Sequence, residues 1–417
     1  MKIGLFTLLI SIILGVVSDL NGQACAAGPK PTHNCEARRT IARADGSLIV
    51  IGDCEAGRTT YQIAAAQLTS LGQVDSRFGE RGLAIVNSPN GKMLLTHDAA
   101  IQPDGKMILT GWVATGQEMQ GMFSDNDIFV LRLNPDGSLD TSFGARGFTI
   151  LGFGSGHSED ANSIVVQQDG KIVVAGSVHD GRSNDFAVFR LSQNGVLDPA
   201  FGQEGKLKLA LTNGGDIAEQ VVEQKDGTLI IAGVGLVDRE IKLAVVFLDP
   251  TGEVDPPLQS SKAQAFALEN PFARINLALG KPKFLAYSAD TPARLFGPPV
   301  SILKIPAAAV NARGDIFRLS AIIDSSYATL GHSISKQKST GLPDAAFGRS
   351  GRTTLLKSPG SVNGASITLQ PDDKILVTGY SFTSGSKKMA VTRLLGGNGQ
   401  IDTAFGTSGK VLIPYPE

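Results

Sequence analysis

The sequence predicts an all-β protein, a six-bladed β-propeller of four-stranded antiparallel blades. Three observations lead there: a unit of about sixty residues that recurs along the chain, a hairpin signal inside each copy, and chain ends that look complementary. Composition agrees, since 49 of 417 residues are glycine and only 18% are charged. That balance suits short strands joined by tight turns better than helices. With 38 basic against 39 acidic residues, nothing in the charge calls for a nucleic-acid partner.

At the N-terminus, Lys2 precedes an apolar run from Ile3 to Val17. The run is short for a bilayer span but suits the core of an export signal. Ala24-Cys25-Ala26 fits a cleavage site, so residues 1–26 are expected to be a signal peptide. Residues 27–35 would be an N-terminal segment and 36–417 the propeller. The alternative makes Cys25 a lipid-anchored first residue, although Gly22 stands where lipoprotein signals usually carry Leu. The mature chain is expected to be secreted or held at the cell surface or in the periplasm, monomeric and without a transmembrane segment. Cys35 and Cys54 flank an Asp45-Gly46 turn. Antiparallel pairing brings them within about one pleat, so a disulfide is expected in an oxidising compartment, with two buried thiols as the alternative.

The hairpin signal appears in RRTIARADGSLIVIG (Arg38–Gly52), DAAIQPDGKMILTG (Asp98–Gly111), DANSIVVQQDGKIVVAG (Asp160–Gly176), DIAEQVVEQKDGTLIIAG (Asp216–Gly233) and GASITLQPDDKILVTG (Gly364–Gly379), with a degraded copy at Ala307–Ser320. Each joins two apolar runs through a turn that needs positive φ. Turn positions Gly46, Gly105, Gly170, Gly227, Gly314 and Asp373 are spaced 59, 65, 57, 87 and 59 residues apart, the length of a four-stranded blade. Third strands follow at Asp127–Leu133, Asp185–Leu191, Lys242–Leu248 and Lys388–Leu394.

A second motif, LDTSFGARG (Leu139–Gly147), carries Asp140, Phe143 and Gly144. It recurs with Asp75, Phe78 and Gly79, with Asp198, Phe201 and Gly202, with Asp344, Phe347 and Gly348, and with Asp402, Phe405 and Gly406. Its Asp closes a turn, its Phe is expected to anchor a crossover between blades, and its glycines supply backbone freedom. The motif would punctuate blade from blade, the strand after it opening the next blade. In that frame the first copy lacks one strand and the C-terminus supplies it. Lys410–Ile413 would join the N-terminal blade and close the ring.

The combined pattern QPDGKILVTG…DFAVxRLxxDGxLDxxFGxxG resembles the bacterial delta-60 repeat family. The resemblance covers essentially the whole mature chain. It implies export and a β-propeller-like fold, and brings no catalytic residues with it. The fifth copy departs from the pattern: Asp255 is followed by PPLQ, and Arg313-Gly314-Asp315 replaces the usual turn. Residues 256–306 are therefore an elaborated blade or, in a seven-bladed alternative, a degenerate unit.

In a meander, the Asp-Gly turns and Phe-Gly crossovers share one face, and the other face carries the variable loops, where function usually resides. Those loops and strand ends hold the candidate ligand residues His97, Asp98, Trp112, Asp127, His157, Asp160, His179, Asp185 and Asp216. Asp98, Asp160 and Asp216 align at the start of the second strand and make weak candidates for a divalent cation. Otherwise no cofactor and no metal are expected, because an Asp there more often caps its own loop. GHSIS (Gly331–Ser335) lies within a strand and lacks the last glycine of a nucleophile elbow. The favoured reading is a binding or scaffolding module for an unidentified protein or small molecule, with a pocket near Trp112 and Met119. The runner-up is a hydrolase or lyase gathering His157 and Asp160 at a central channel, and the third is a purely structural surface protein.

Overall fold

The computed structural model describes residues 34–57, 60–119, 122–123, 125–237, 240–254, 308–323, 329–356, 361–383 and 385–415. The expected signal peptide, Cys25 and the 256–306 region lie outside them. The described residues contain strands and turns and no helix, as the composition and hairpin pattern imply.

Six antiparallel sheets of three or four described strands follow one another along the chain, with a two-stranded ribbon of Glu118–Met119 and Met122–Phe123 between strands of the second. The first holds Cys35–Ala42, Leu48–Glu55, Tyr61–Leu68 and Leu83–Asn87, and the second Leu94–Ile101, Met107–Ala114, Asn126–Leu133 and Phe148–Leu151. The third holds Ser158–Val166, Ile172–His179, Asn184–Leu191 and Lys206–Leu209. The fourth has Asp216–Glu223, Leu229–Val237 and Glu240–Leu248 among the described residues. The fifth holds Ala308–Val310, Ile316–Ile323, Thr329–Gln337 and Arg352–Leu356, and the sixth Val362–Leu369, Ile375–Thr383, Ser386–Leu394 and Lys410–Ile413.

This frame corrects the expected one. The strand after each Phe-Gly motif does not open a new sheet. It folds back on the strand just left, as Phe148↔Leu131 and Val411↔Val391 show. Lys410–Ile413 therefore completes the sixth sheet, the first sheet already has Leu83–Asn87 as its fourth strand, and the strand exchange is not made. The reason is local. Thr407 N–H donates to Lys410 O at 2.8 Å and Lys410 N–H returns to Thr407 O at 3.2 Å, while Ser408 and Gly409 take φ of 53° and 84°. Positive φ at both central residues makes a two-residue hairpin turn, too short to carry the chain to another sheet.

Each first strand, except that of the fifth sheet, carries a bulge, between Ala37 and Arg39, Thr96 and Asp98, Ala161 and Ser163, Ala218 and Gln220, and Gly364 and Ser366. The bulge explains the glycine that closes each hairpin. A Cβ on Gly176 would lie 1.9 Å from Asp160 O, and one on Gly111 1.9 Å from Leu95 O. Only glycine lets the bulged backbone approach that closely.

Five apolar clusters lie between neighbouring sheets: first and second, second and third, third and fourth, fifth and sixth, and sixth and first. In the last of these, Leu48 and Val50 pack with Leu376, Val391 and Val411. The C-terminal strand thus meets the first sheet by face packing. Among the described residues no cluster joins the fourth sheet to the fifth.

The motif phenylalanines belong to these cores, which corrects the role expected of them. They anchor no chain crossover, because the strand after the motif stays in its own sheet. Each is instead a buried wedge at a sheet boundary. Phe78, 2% exposed, sits in the cluster between first and second sheets, and Phe347, fully buried, in the one between fifth and sixth. Phe143, Phe201 and Phe405 are fully buried at the boundaries after the second, third and sixth sheets. Every ring lies under a glycine in the turn of the following sheet. A Cβ on Gly137 would be 2.9 Å from Phe78, on Gly195 2.7 Å from Phe143, on Gly252 2.8 Å from Phe201, on Gly399 2.9 Å from Phe347 and on Gly72 2.8 Å from Phe405. Phe347 also meets Phe317 of its own sheet edge-on, with centroids 5.8 Å apart.

A repeated latch accompanies the wedge. The motif glycine donates its N–H to the same turn: Gly79 to Asp136 O, Gly144 to Asn194 O, Gly202 to Thr251 O and Gly348 to Asn398 O, at 2.7–2.9 Å. Gly406 does the same to Leu71 O at 2.8 Å, linking sixth sheet to first. A buried arginine of the third strand holds the motif Asp: Arg132–Asp140 at 2.7 Å, Arg190–Asp198 at 2.8 Å and Arg393–Asp402 at 2.9 Å. The same guanidinium also donates to a carbonyl of the next sheet, Gln193, Pro250 or Ser70 respectively. In the fourth sheet the matching position is Phe247, opposite Ile230. The one sheet lacking both this cation and the Phe-Gly pair is the one with no described core to its successor.

Cys35 and Cys54 stand directly opposite each other and form the expected disulfide, 19 residues apart. A loop of that length restricts the unfolded chain enough that Cys54→Ser should lower unfolding free energy by about 3 kcal/mol. Urea titration checks this, and reduction of the wild type should give the same midpoint shift.

Candidate functional site

The meander puts the hairpin turns and, where they occur, the Phe-Gly turns at one end of each sheet and the remaining loops at the other. At the loop end, between the second and third sheets, lies a cavity of about 410 Å³ lined by Thr115, Asp125, Asp127, Ile150, Ser155 and His157, among others. A larger space of about 830 Å³ runs along Leu355, Val362, Ile401 and the Gly406–Val411 segment. Its walls mix aliphatic side chains with Thr354, Thr392, Thr407 and Lys410.

Asp127 opens the third strand of the second sheet, opposite Val113. The repeat supplies its counterpart, Asp185, opposite Val178 in the third sheet. There Lys208, opposite Ala187 on the fourth strand, places its ammonium 3.1 Å from Asp185 and 3.1 Å from Asp180. In the second sheet the residue at the lysine's register is Ile150, opposite Phe129. Asp127 therefore has no cation from its own fourth strand. It meets the Thr115 hydroxyl and the carboxyl of Glu159, the latter from the first strand of the third sheet.

Glu159 is 1% exposed. Its Oε1 accepts the Phe153 N–H at 2.8 Å, and its Oε2 has no N–H donor. Contact between the two carboxyls is favourable only with a proton between them. Burial first, then the Asp127 charge, pushes Glu159 up to about 7, against the pull of the Phe153 N–H and Lys206. Burial likewise raises Asp127. Gly152 forms the cavity wall above both: a Cβ there would lie 2.6 Å from Asp127 Oδ1 and 3.4 Å from Glu159 Oε2. Lys206, on the fourth strand of the third sheet, directs its ammonium to Gly152 O at 2.6 Å. His157 Nδ1 is buried without a hydrogen-bond partner.

A glutamate whose folded pKa is raised stabilises the fold least once it ionises. From the unfolded value of 4.5 up to about 7, the unfolded chain gives up its proton and the folded chain keeps it, so stability falls with rising pH across that window. Glu159→Gln removes this loss. The variant should gain about 2 kcal/mol on the wild type between pH 5 and pH 8, a figure reduced for cavity water. Denaturant titrations at the two pH values measure it.

The other candidate residues fall into separate groups. His97 sits at a bulge, its Nδ1 2.9 Å from Ala161 O and 3.0 Å from Asp160 Oδ1. Asp98 binds Arg39 at 3.0 Å and accepts the Ile164 N–H at 3.0 Å, bridging three sheets. Asp216 caps its own loop through Leu211 N–H, Thr212 N–H and the Thr212 hydroxyl, at 2.8–2.9 Å. Opposite partners Thr110, Ser177 and Gly235 place Asp98, Asp160 and Asp216 at three different register levels around the bulge, so they form no common ring. No group of three or more His, Cys, Asp or Glu able to hold a metal occurs among the described residues.

His179 Nδ1 accepts the Gly181 N–H at 3.1 Å. Trp112 lies on a second strand opposite Ile128, outside the cavity wall. His157 and Asp160 belong to different groups, so the channel constellation is not assembled. Ser333 is buried within a strand, as expected for GHSIS. Of the Arg313-Gly314-Asp315 turn, Asp315 is buried against Lys336 and Arg313 pairs with Asp373. Thr115, Gly152, Ser155 and Lys206 are site residues that the sequence pattern did not single out. Alignment of the fourth strands gives no signal at Ile150: the same register holds Ile85, Thr354 and Leu412 in other sheets, and Lys208 is the exception.

Three segments, residues 102–143, 167–201 and 370–405, match the family described as a domain of unknown function, DUF5122, beta-propeller. No curated protein matches the chain. Similar solved structures include a protein of unknown function from Dyadobacter fermentans, at 10% identity over 87% of this chain and 94% of that one with a TM-score of 0.48. An ulvan polysaccharide lyase shares 8% identity over 88% and 84%, with a TM-score of 0.36. A neuraminidase-like protein from A/bat/Guatemala shares 10% over 92% and 88%, with a TM-score of 0.41. Six consecutive antiparallel sheets and three segments matching a propeller family make this chain a β-propeller-like repeat protein.

Proposed function

We propose that this chain is an exported propeller that works as a binding module, and that its ligand enters the cavity between the second and third sheets. The disulfide suits an oxidising compartment, and no helix among the described residues is long and apolar enough to cross a membrane. The observation that carries the reading is the contrast between Asp185 and Asp127. The first is neutralised by Lys208, whereas the second lines an open cavity and meets another acid. Elsewhere the repeat uses its charges in latches. The hydrolase or lyase reading draws on one feature, a carboxyl pair sharing a proton near neutrality, which is a competent acid–base couple.

A thermal-shift panel of small sugars, amino acids and amines tests the binding reading. Stabilising compounds should lose their effect in Ser155→Trp, where an exposed loop position fills the cavity. Absence of any stabilising compound, or equal shifts in the variant, overturns it.

A further inference from the structure

We infer that the groove between the outer strands of the fifth and sixth sheets docks an extended acidic peptide, which adds as a further strand to the free edge of Lys410–Ile413. This surface is separate from the cavity between the second and third sheets and goes beyond the role proposed there. The groove, of about 830 Å³, touches Thr354, Leu355 and Leu356 in a row on one side and Lys410, Val411 and Leu412 in a row on the other. Consecutive strand residues point to opposite faces of a sheet. A space that meets three of them in succession therefore runs along the strand's edge, where backbone N–H and C=O groups lie. Both strands are outermost in their sheets and paired on one side only. The groove also reaches Gly72 and Val74 in the first sheet's turn, so it meets the Lys410–Ile413 edge from both faces.

Side chains define what kind of strand fits. Leu356, 66% exposed, and Ile401, 46% exposed, stand on the groove wall with Leu355 and Leu412, offering apolar contacts to alternate side chains of an added strand. No residue of Arg352–Leu356 is buried, unlike the fourth strands of the first, second and sixth sheets. Charge selects the rest. Residues 308–417 hold 12 basic and 7 acidic side chains, a net +5, whereas residues 34–254 hold 18 and 28, a net −10. The basic excess is therefore gathered on the two sheets that form the groove. Lys410 lines it, and Arg349, Arg352 and Lys388 form no ion pair among the described residues. Cations not spent in latches attract an acidic partner. A four-residue edge spans about 13 Å, enough for a short peptide and little for a second sheet. Its alternating donors and acceptors match another peptide backbone, which a polysaccharide does not supply.

Fluorescence polarisation on the full chain tests the inference, with a labelled ten-residue peptide alternating glutamate and valine as probe. It should bind about tenfold more tightly than the same peptide with lysine in place of glutamate. N-methylation of alternate residues strips the donors from one edge of the peptide. Methylating one alternate set should abolish binding, and methylating the other should spare it, because only one edge faces the protein. Leu356→Asp, at an exposed position, should weaken binding about tenfold, while Ser155→Trp, at the other cavity, should leave it unchanged. No binding of the glutamate peptide, or equal binding of the lysine peptide, overturns the inference. Indifference to both methylated peptides, or to Leu356→Asp, does so too. Heparin bound in place of the peptide would assign the groove to an anionic polysaccharide. A dimer that Leu356→Asp dissociates, seen by light scattering, would assign it to a second copy, and either result overturns the peptide.

Discussion

Phe143→Ala should cost about 3–5 kcal/mol of unfolding free energy, the range for emptying a fully buried aromatic site. Phe143 is 0% exposed and does two things at once. Its ring fills the space under the next sheet's turn, where Gly195 leaves just enough room. Its face also receives the Arg132 guanidinium, 4.8 Å from the centroid, an interaction that gains from the absence of water. Alanine therefore removes packing on both sides of a sheet boundary. The cavity cannot collapse without moving the turn held by Gly144 N–H and Asn194 O. Urea unfolding followed by tryptophan fluorescence measures the loss, with Trp112 as the single reporter. A cost below about 1 kcal/mol would mean that the ring is not a structural wedge.

Arg190→Ala should be as damaging, at about 3–5 kcal/mol, because it strands a partly buried carboxylate. Arg190 is 3% exposed. Its Nε meets Asp198 at 2.8 Å, another guanidinium nitrogen reaches Pro250 O in the next sheet, and the group stacks 4.6 Å over Phe201. Burial works to raise Asp198, yet the Ala200 N–H, Arg190 and Lys171 together hold it below the usual carboxylate range. A depressed carboxylate contributes stability above its unfolded pKa and loses it as pH falls through the folded one. The cost of Arg190→Ala should accordingly shrink on acidification below about pH 4. Arg190→Lys should recover only part, since lysine keeps the charge but not the planar stack or the second donor. The fifth sheet uses that simpler solution already, with Lys336 2.8 Å from Asp344.

How much of this was legible follows from which interactions are local. All-β structure and the six hairpins were readable because an Asp-Gly turn lies next to the apolar runs that it joins. Asp45, for example, accepts the Ser47 N–H at 2.9 Å wherever the rest of the chain goes. The partner of Lys410–Ile413 was not readable. It is decided by the turn at Ser408-Gly409, and serine is not a residue that advertises positive φ. The aspartates do not align: the bulge at His97 recurs at Asn162 and Glu219 and so does not set them apart, but their spacing to the closing glycine does, 13 residues for Asp98, 16 for Asp160 and 17 for Asp216. Glu159 was invisible as Asp127's partner because the pair crosses between sheets. The recurrence of Phe78, Phe143, Phe201, Phe347 and Phe405 was plain in the letters, but the surface each ring packs against belongs to another sheet, so a wedge read as a crossover.

Most depends on the sixth sheet packing against the first without exchanging a strand. Thr40 and Thr378 lie on those two sheets with their hydroxyl oxygens 2.6 Å apart, 338 residues distant in sequence. Thr40→Cys with Thr378→Cys, oxidised under native conditions and mapped by mass spectrometry, should yield a single new disulfide in the monomer in high yield. Two freely alkylated thiols in a folded chain, or cross-links only between molecules, would contradict it.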